Sequence, residues 1–409
     1  MKVAVLFDNL GPYHRARLSA AAEKSELVAV EVSGRSAEYA WESKGNEGPY
    51  QSAILLPDRA SRSVRGRELR SVLAKTLIAL SPSVVCIPGW SSRAAFAGLE
   101  WCVGARVPVV AMSESTAWDE SRVPWKEWPK KRVVALCSAA LVGGTPQRDY
   151  LVQLGMPTDR IFLGYDAVDN DYFARKAAEV RSQGSEVREK HGLPRRYFLA
   201  SARFIEKKNL ARLIQAYARY RQLAAKAQPG SKVGARTSDL WSLVLLGDGP
   251  LKADLCRMIS HLAVSGSVQL PGFRQYDELP VYYGLADAFI HASTTEQWGL
   301  VVNEAMASGL PVLVSNRCGC AADLVREGVN GFTFEPRDVE ALSNLMLRST
   351  EMTENQRAEA GRFSSMIVRQ WDPQRFAQGL VAAADKALDV GAPRAGVLQR
   401  LLLGALSRT

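Results

Sequence analysis

A chain of 409 residues with 47% hydrophobic and 23% charged residues has material for about two ordinary globular domains. No apolar run reaches the ~18 residues of a membrane-spanning helix, and residues 1–8 lack the longer apolar stretch and small-residue cleavage site of a signal peptide, so a cytoplasmic protein is expected. The formal net charge of +10 favours anionic partners such as nucleotide phosphates, nucleic acid or an acidic membrane surface, without choosing among them.

Apolar, β-rich runs alternate with helix-like segments along the chain. Strands are predicted at 3–7, 27–32, 84–87, 107–112, 140–142 and 161–163, then at 197–202, 243–246, 268–270, 288–291 and 312–315. Near-continuous apolar strands separated by helices indicate an α/β protein with parallel sheets covered on both faces. The first set ends at Gly164-Tyr165-Asp166, and 176–190 is charged and weakly periodic, so a domain boundary is expected within about 168–190. The segment 225–238, rich in Lys, Gly and Ser, reads as an exposed loop. The six cysteines, Cys86, Cys102, Cys137, Cys256, Cys318 and Cys320, form no CxxC pair, and buried free thiols are expected.

The most informative stretch runs from His291 to Val312. A buried strand ends near His291, a polar loop carries Glu296 and Gly299, a helix spans about 300–307 and stops at Gly309, and the next strand begins at Pro311. The loop therefore lies at the carboxyl end of a parallel strand, where ligands of open α/β sheets bind. Gly299 allows close backbone approach, and the amides of Leu300 and Val301 open a helix whose amino end favours phosphate. Glu296 and Glu304 can accept hydrogen bonds from sugar hydroxyls. Upstream, Arg203 and Lys208 stand five residues apart after a strand and before a helix, a spacing suited to clamping a diphosphate.

Two glutamates separated by seven residues and followed by Ala-Met-Ala-x-Gly-x-Pro-Val resemble the signature of the retaining GT-B glycosyltransferase family 4. The resemblance implies two Rossmann-like domains with parallel sheets facing across a cleft: an acceptor-binding domain over 1–168, a donor-binding domain over 169–371, and a terminal helical segment, about 372–409, returning to the first. It implies that Glu304 binds the nucleotide ribose, that Glu296 holds the transferred sugar with the 298–301 backbone near sugar and phosphates, and that Arg203 and Lys208 take the diphosphate. The donor is a nucleotide sugar, UDP-linked more often than GDP-linked, and is a substrate; no cofactor or metal is expected. The loop Pro271-Gly272-Phe273-Arg274 would lie beside the base. Family habit points to a glycan or lipid-linked acceptor and to surface polysaccharide or glycolipid synthesis. One departure is Ser201-Ala202, where a glycine often precedes the arginine.

In the first domain, strand one runs into Gly11-Pro12-Tyr13-His14-Arg15, a sharp strand-to-helix turn. Gly11 and His14 become candidates for phosphate or acceptor contact. Many relatives carry a cleft histidine after the strand at 107–112. This chain has Ser113-Glu114-Ser115 there, so Glu114 is the candidate replacement. The Gly247-Asp248-Gly249 turn reads equally as an empty turn or a ligand-facing one. Segment 122–132 is basic with Trp125 and Trp128 interleaved, and with Arg59, Arg62, Arg65, Arg67 and Arg70 it suits an anionic membrane surface as well as a solvated face, so peripheral attachment at the inner membrane face is one expectation. The tail 397–406 is a short amphipathic candidate for docking on protein or membrane.

Rival readings are weaker. Asp169-Asn170-Asp171 matches an Asp-x-Asp metal string but lies in the linker. A glycoside hydrolase uses two carboxylates but needs no diphosphate clamp. The first loop lacks the G-x-G-x-x-G of a dinucleotide dehydrogenase, and no nucleic-acid-binding signature accompanies the charge. A catalytically silent sugar-nucleotide-binding protein is the non-enzyme alternative.

Overall fold

The computed structural model describes residues 1–35, 48–60, 66–226 and 240–407. Arg62, Arg65 and nearly all of the predicted 225–238 loop lie outside them. The chain divides into one unit of residues 1–169 and 371–409 and a second of 170–370.

The first unit contains β1 (Lys2–Phe7), β2 (Glu26–Arg35), β3 (Gln51–Ala60), β4 (Val84–Pro88), β5 (Val109–Ser113), β6 (Ala139–Val142) and β7 (Ile161–Leu163) in the order β3-β2-β1-β4-β5-β6-β7. The second contains β8 (Tyr197–Ser201), β9 (Ser242–Leu246), β10 (Val268–Gly272), β11 (Ala288–His291), β12 (Val312–Ser315) and β13 (Gly331–Phe334) in the order β10-β9-β8-β11-β12-β13. All strand pairs are parallel. Each sheet reverses its strand order once, beside β1 in the first and beside β8 in the second, which opens a crevice at the carboxyl ends of the strands there.

The apolar runs explain the layers. Alternate residues of β1 go to opposite faces: Ala4 and Leu6 join one core cluster, and Val3, Val5 and Phe7 join the other. Both faces of the sheet are thus dry, as parallel sheets require. Part of the second cluster comes from the far end of the chain. Phe376, Ala377, Leu380, Ala383, Ala384 and Ala387 form one stripe of the helix Pro373–Val390, and all are fully buried against the first sheet. That helix begins with Pro373 in its first turn and an Asp372 side chain that accepts the Arg375 amide, the arrangement that satisfies an orphan amino-terminal donor.

Two strands escaped prediction. β3 is an edge strand with Pro57 inside it and with exposed Gln51, Ser52 and Ile54, so it lacks the buried apolar run that marks the central strands. β13 is a four-residue edge strand with only its two ends buried. Five cysteines are buried as expected, but Cys256 is exposed on the helix Lys252–His261, because its neighbours Leu255 and Ile259 occupy the buried stripe. No helix among the described residues is long and apolar enough to cross a membrane.

Candidate active site in the second unit

The loops that follow β8 and β11 meet at the point where the second sheet reverses order. The backbone laces them together. Thr294 donates its amide to the Lys207 carbonyl at 2.9 Å. Asn209, in the left-handed region at φ 58°, donates its side-chain amide to the carbonyls of Ala292 (2.9 Å) and Pro336 (2.7 Å). The loop after β12 joins through the Glu296 amide on the Arg317 carbonyl and the Gly319 amide on the Glu296 carbonyl, both 3.0 Å.

This lacing brings Lys208 to Glu296. Their ammonium and carboxylate form an ion pair, each side chain 13% exposed. The same carboxylate oxygen, Oε2, accepts from Ser293 Oγ at 3.2 Å and lies 3.5 Å from His291 Nε2, while Ser293 and His291 are 3.3 Å apart. Burial opposes ionisation of Glu296, but His291 and Lys208 outweigh it and hold the carboxyl well below its ordinary range. Burial likewise depresses the His291 imidazole, with the Glu296 hydrogen bond only partly opposing it, so His291 is neutral at pH 7. Sequence reasoning took His291 as a strand end and passed over Ser293; the signal was a polar residue closing an apolar strand two positions before a serine and five before an acid.

Gly299 begins the helix Leu300–Ala307 with φ 103°, a conformation that strains any residue with a Cβ. A Cβ there would also meet His291 Nε2 at 3.4 Å and Glu296 Cγ at 3.5 Å. Leu300 and Val301 supply the first amides of this helix. Glu304, fully buried one turn further on, accepts a 2.7 Å hydrogen bond from the hydroxyl of Tyr283 on the helix Leu279–Leu285. Burial first, and the Glu304 charge second, push the Tyr283 phenol far up, so it remains a donor at any working pH. Ser201, within the Ser201-Ala202 pair that departs from the family pattern, hydrogen-bonds that same tyrosine.

Arg203 occupies the β8 loop between two pinned neighbours: Ala202 donates to Leu246 at 3.0 Å and Phe204 to Asp248 at 2.8 Å. The Gly247-Asp248-Gly249 turn is therefore the wall against which the Arg203 loop rests. Gly247 has φ 127°, and a Cβ on it would stand 1.9 Å from the Ala202 carbonyl oxygen; this contact requires the glycine. Phe273 is at the edge of exposure after β10, and Arg274 beside it donates to the Tyr282 hydroxyl at 2.6 Å.

Gly11 caps the helix Pro12–Ala22, and its amide donates to His14 Nδ1 at 3.1 Å. Burial and then Arg17 lower the His14 pKa well below its usual value. Neutral His14 therefore carries its proton on Nε2 and can offer a ligand only a donor. Glu114, half-buried after β5, is with Asp166 and Asp8 one of three acids near the buried Tyr165 ring. Among the basic residues, Arg59 pairs with Glu68 at 2.9 Å and Arg70 with Glu100 at 3.1 Å. Among the described residues no group of three His, Cys, Asp or Glu side chains is disposed to hold a metal ion. Asn170 of the Asp-x-Asp string is buried, its amide donating to the Val368 carbonyl at 2.8 Å.

Two parallel, doubly wound α/β units, the second with acids and a lysine gathered at its switch point, define the GT-B class of fold. Solved structures share it along nearly the whole chain. The Anabaena protein HepE in complex with UDP and glucose superimposes with a TM-score of 0.70 at 20% identity, covering 93% of this chain and 98% of that one. The apo lipopolysaccharide outer core galactosyltransferase WaaB does so with a TM-score of 0.65 at 13% identity, covering 94% and 99%. Within its second unit, residues 184–362 match the family profile of the glycosyl transferases group 1. It is similar to the alpha-monoglucosyldiacylglycerol synthase of Acholeplasma laidlawii, at 30% identity over 166 residues (40% of this chain, 38% of that protein). It is also similar to a sulfoquinovosyl transferase of Arabidopsis thaliana, at 42% over 101 residues (24% and 19%). The chain thus spans well under two thirds of the length of either relative.

Proposed function

We propose that the chain transfers a sugar from a nucleotide sugar, with UDP as the nucleotide, to a glycan or lipid-linked acceptor in cell-surface polysaccharide or glycolipid synthesis. The observation that carries this reading is the largely buried Lys208–Glu296 pair, each side chain 13% exposed, at the switch point, with Glu304 on the adjoining helix. An ammonium held by a carboxylate and still reachable from solvent is ready for exchange: an arriving diphosphate offers the lysine a stronger anionic partner, and Ser293 and His291 continue to hold Glu296. Glu296 is then free to accept from sugar hydroxyls. Arg203 and the Leu300 and Val301 amides take the remaining phosphate charge, Glu304 takes the ribose, and Phe273 and Arg274 line the base. Similarity to a glucosyldiacylglycerol synthase, and to a protein crystallised with UDP and glucose, supports the donor and acceptor classes.

In a retaining transfer the acceptor hydroxyl attacks the anomeric carbon on the face the phosphate leaves. The carbon–oxygen bond to phosphate breaks, the new glycosidic bond forms, and the acceptor proton passes to the departing phosphate oxygen. The protein's share is stabilisation of the leaving group. No metal is expected to be needed for that share.

The test is thermal melting with UDP, GDP and their sugars, with and without EDTA. At about a hundred times its dissociation constant a ligand stabilises by about 2.7 kcal/mol. UDP should raise the melting temperature in EDTA, and Lys208→Ala should remove the shift. A shift that survives in Lys208→Ala, or no shift with any nucleotide, overturns the proposal.

A further inference from the structure

The first unit presents apolar side chains to solvent on two helices that lie side by side. The helix Val397–Leu406 packs against the helices Arg93–Ala105 and Pro124–Val134. Its inner side is anchored by Leu403, which is buried in the core of the first sheet. Its outer side carries Val397 (79% exposed), Leu398 (54%) and Leu401 (67%). A helix on a folded domain ordinarily shows water its polar residues. Here the outward stripe is aliphatic, and the helix contains no acid.

The neighbouring helix Pro124–Val134 adds Trp125 (72% exposed) and Trp128 (44%). Both rings carry a cation: Lys126 Nζ lies 5.4 Å from the Trp125 ring centre, and the Arg132 guanidinium lies 5.2 Å from that of Trp128. Lys131, Arg394 and Arg400 are exposed on the same pair of segments. The one acid within the helix, Glu127, is turned inward and held by Tyr150 at 2.8 Å and Lys130 at 3.1 Å. Glu120, before the helix, is exposed and 3.8 Å from Lys130.

We propose that these two helices form one surface that seats the protein on an anionic lipid bilayer. Tryptophan and aliphatic side chains enter the interfacial layer, and flanking Lys and Arg meet lipid phosphates, as amphipathic interfacial helices do. The charge selects this occupant over a second copy of the chain, because a symmetric contact would set the same cations against each other. Large exposed apolar patches need a partner, and this one is basic and aromatic together. The inference is independent of the transfer reaction, since none of these residues belongs to the nucleotide-binding loops.

The experiment is pelleting of the full chain with sucrose-loaded vesicles, of phosphatidylcholine alone and of phosphatidylcholine mixed with phosphatidylglycerol. Two variants accompany it, Leu398→Gln/Leu401→Gln and Lys126→Gln/Lys131→Gln/Arg132→Gln, with circular dichroism and UDP melting shift measured on each. Wild type should pellet with the anionic vesicles and be released by salt. The charge variant should partition roughly fivefold more weakly per cation removed, and the leucine variant should lose binding with its melting unchanged. Equal binding to both vesicle types, no binding to anionic vesicles, or unaltered binding in both variants overturns the proposal. So does a wild-type dimer in sedimentation that Leu398→Gln/Leu401→Gln converts to monomer without any vesicle binding in either protein. An intact UDP shift in a chain that ignores vesicles would leave the nucleotide reading standing and remove only this one.

Discussion

Tyr283 and Glu304 show what a single buried hydrogen bond can do for a binding site. A carboxylate with no exposed surface needs a donor to remain in place, and Tyr283 provides it at 2.7 Å. Tyr283→Phe removes that donor, and losing a hydrogen bond to a charged group costs about 1.5–3 kcal/mol. If Glu304 receives the ribose, the carboxylate is then misdirected as well. UDP affinity should fall about tenfold, which is about 1.4 kcal/mol, while inorganic pyrophosphate, which has no ribose, should bind as before. Calorimetric titration of both ligands reads this directly, and an unchanged UDP affinity in the Phe variant would dissociate Tyr283 from ribose recognition. None of this was legible from residues 279–285 themselves. The tyrosine and the glutamate are 21 positions apart, and their meeting depends on how two helices pack. The same holds for Asn209, whose two carbonyl partners lie 83 and 127 positions away. Residue type and local spacing could nominate Glu296, Glu304, Arg203 and Lys208; they could not show that Lys208 pairs with Glu296, or that His291 and Ser293 stand behind the pair.

At the scale of elements, the central strands were readable because parallel, doubly covered strands must be nearly continuous runs of apolar residues. Predicted 161–163, 288–291 and 312–315 coincide with β7, β11 and β12, and the others differ at their ends. The edges were not readable, because edge strands such as β3 are released from that requirement on one side. Turns lie between these cases. Gly247-Asp248-Gly249 gave two equal readings, and the packing explains the glycine without a ligand: the turn abuts the Ala202–Phe204 backbone. This makes a prediction that separates backbone clearance from generic glycine loss. Gly247→Ala should destabilise the protein by about 3 kcal/mol, through positive φ and overpacking together, and should disturb Arg203. Gly266→Ala, where a Cβ meets nothing within 4 Å and φ is not positive, should be close to neutral. Urea melts of the two variants would decide it; equal stabilities would mean that the β9 turn has room the geometry denies.

At the scale of the molecule, acid stability should depend on two histidines, one in each unit. His14 and His291 both have pKa values lowered from 6.5, first of all by burial. Below pH 6.5 the unfolded chain takes up protons at these positions that the folded chain refuses. Stability therefore is fully present above about pH 6.5 and declines as pH falls toward the lower folded values. The buried Glu31 and the part-buried Asp287 act in the opposite sense, since burial raises their pKa values and the folded state holds their protons longer, a contribution that is lost as pH rises. The depressed Glu296 adds a further loss only below the ordinary carboxylate range near 4.5. The histidine loss sets in first, between about pH 6.5 and 5.5, because the ordinary imidazole pKa of the unfolded chain lies well above the carboxylate range. The melting temperature should drop across that interval. His14→Asn, which keeps an acceptor for the Gly11 amide, and His291→Gln, which keeps a polar atom beside Glu296, should each flatten the drop. If the two units melt separately, the His14 variant should flatten only the transition of residues 1–169 and 371–409, and the His291 variant only that of 170–370. A melting temperature that is level from about pH 7 to 5.5 in the wild type, or a drop that neither variant reduces, would show that these imidazoles charge inside the fold, and that the burial assigned to them is relieved in solution.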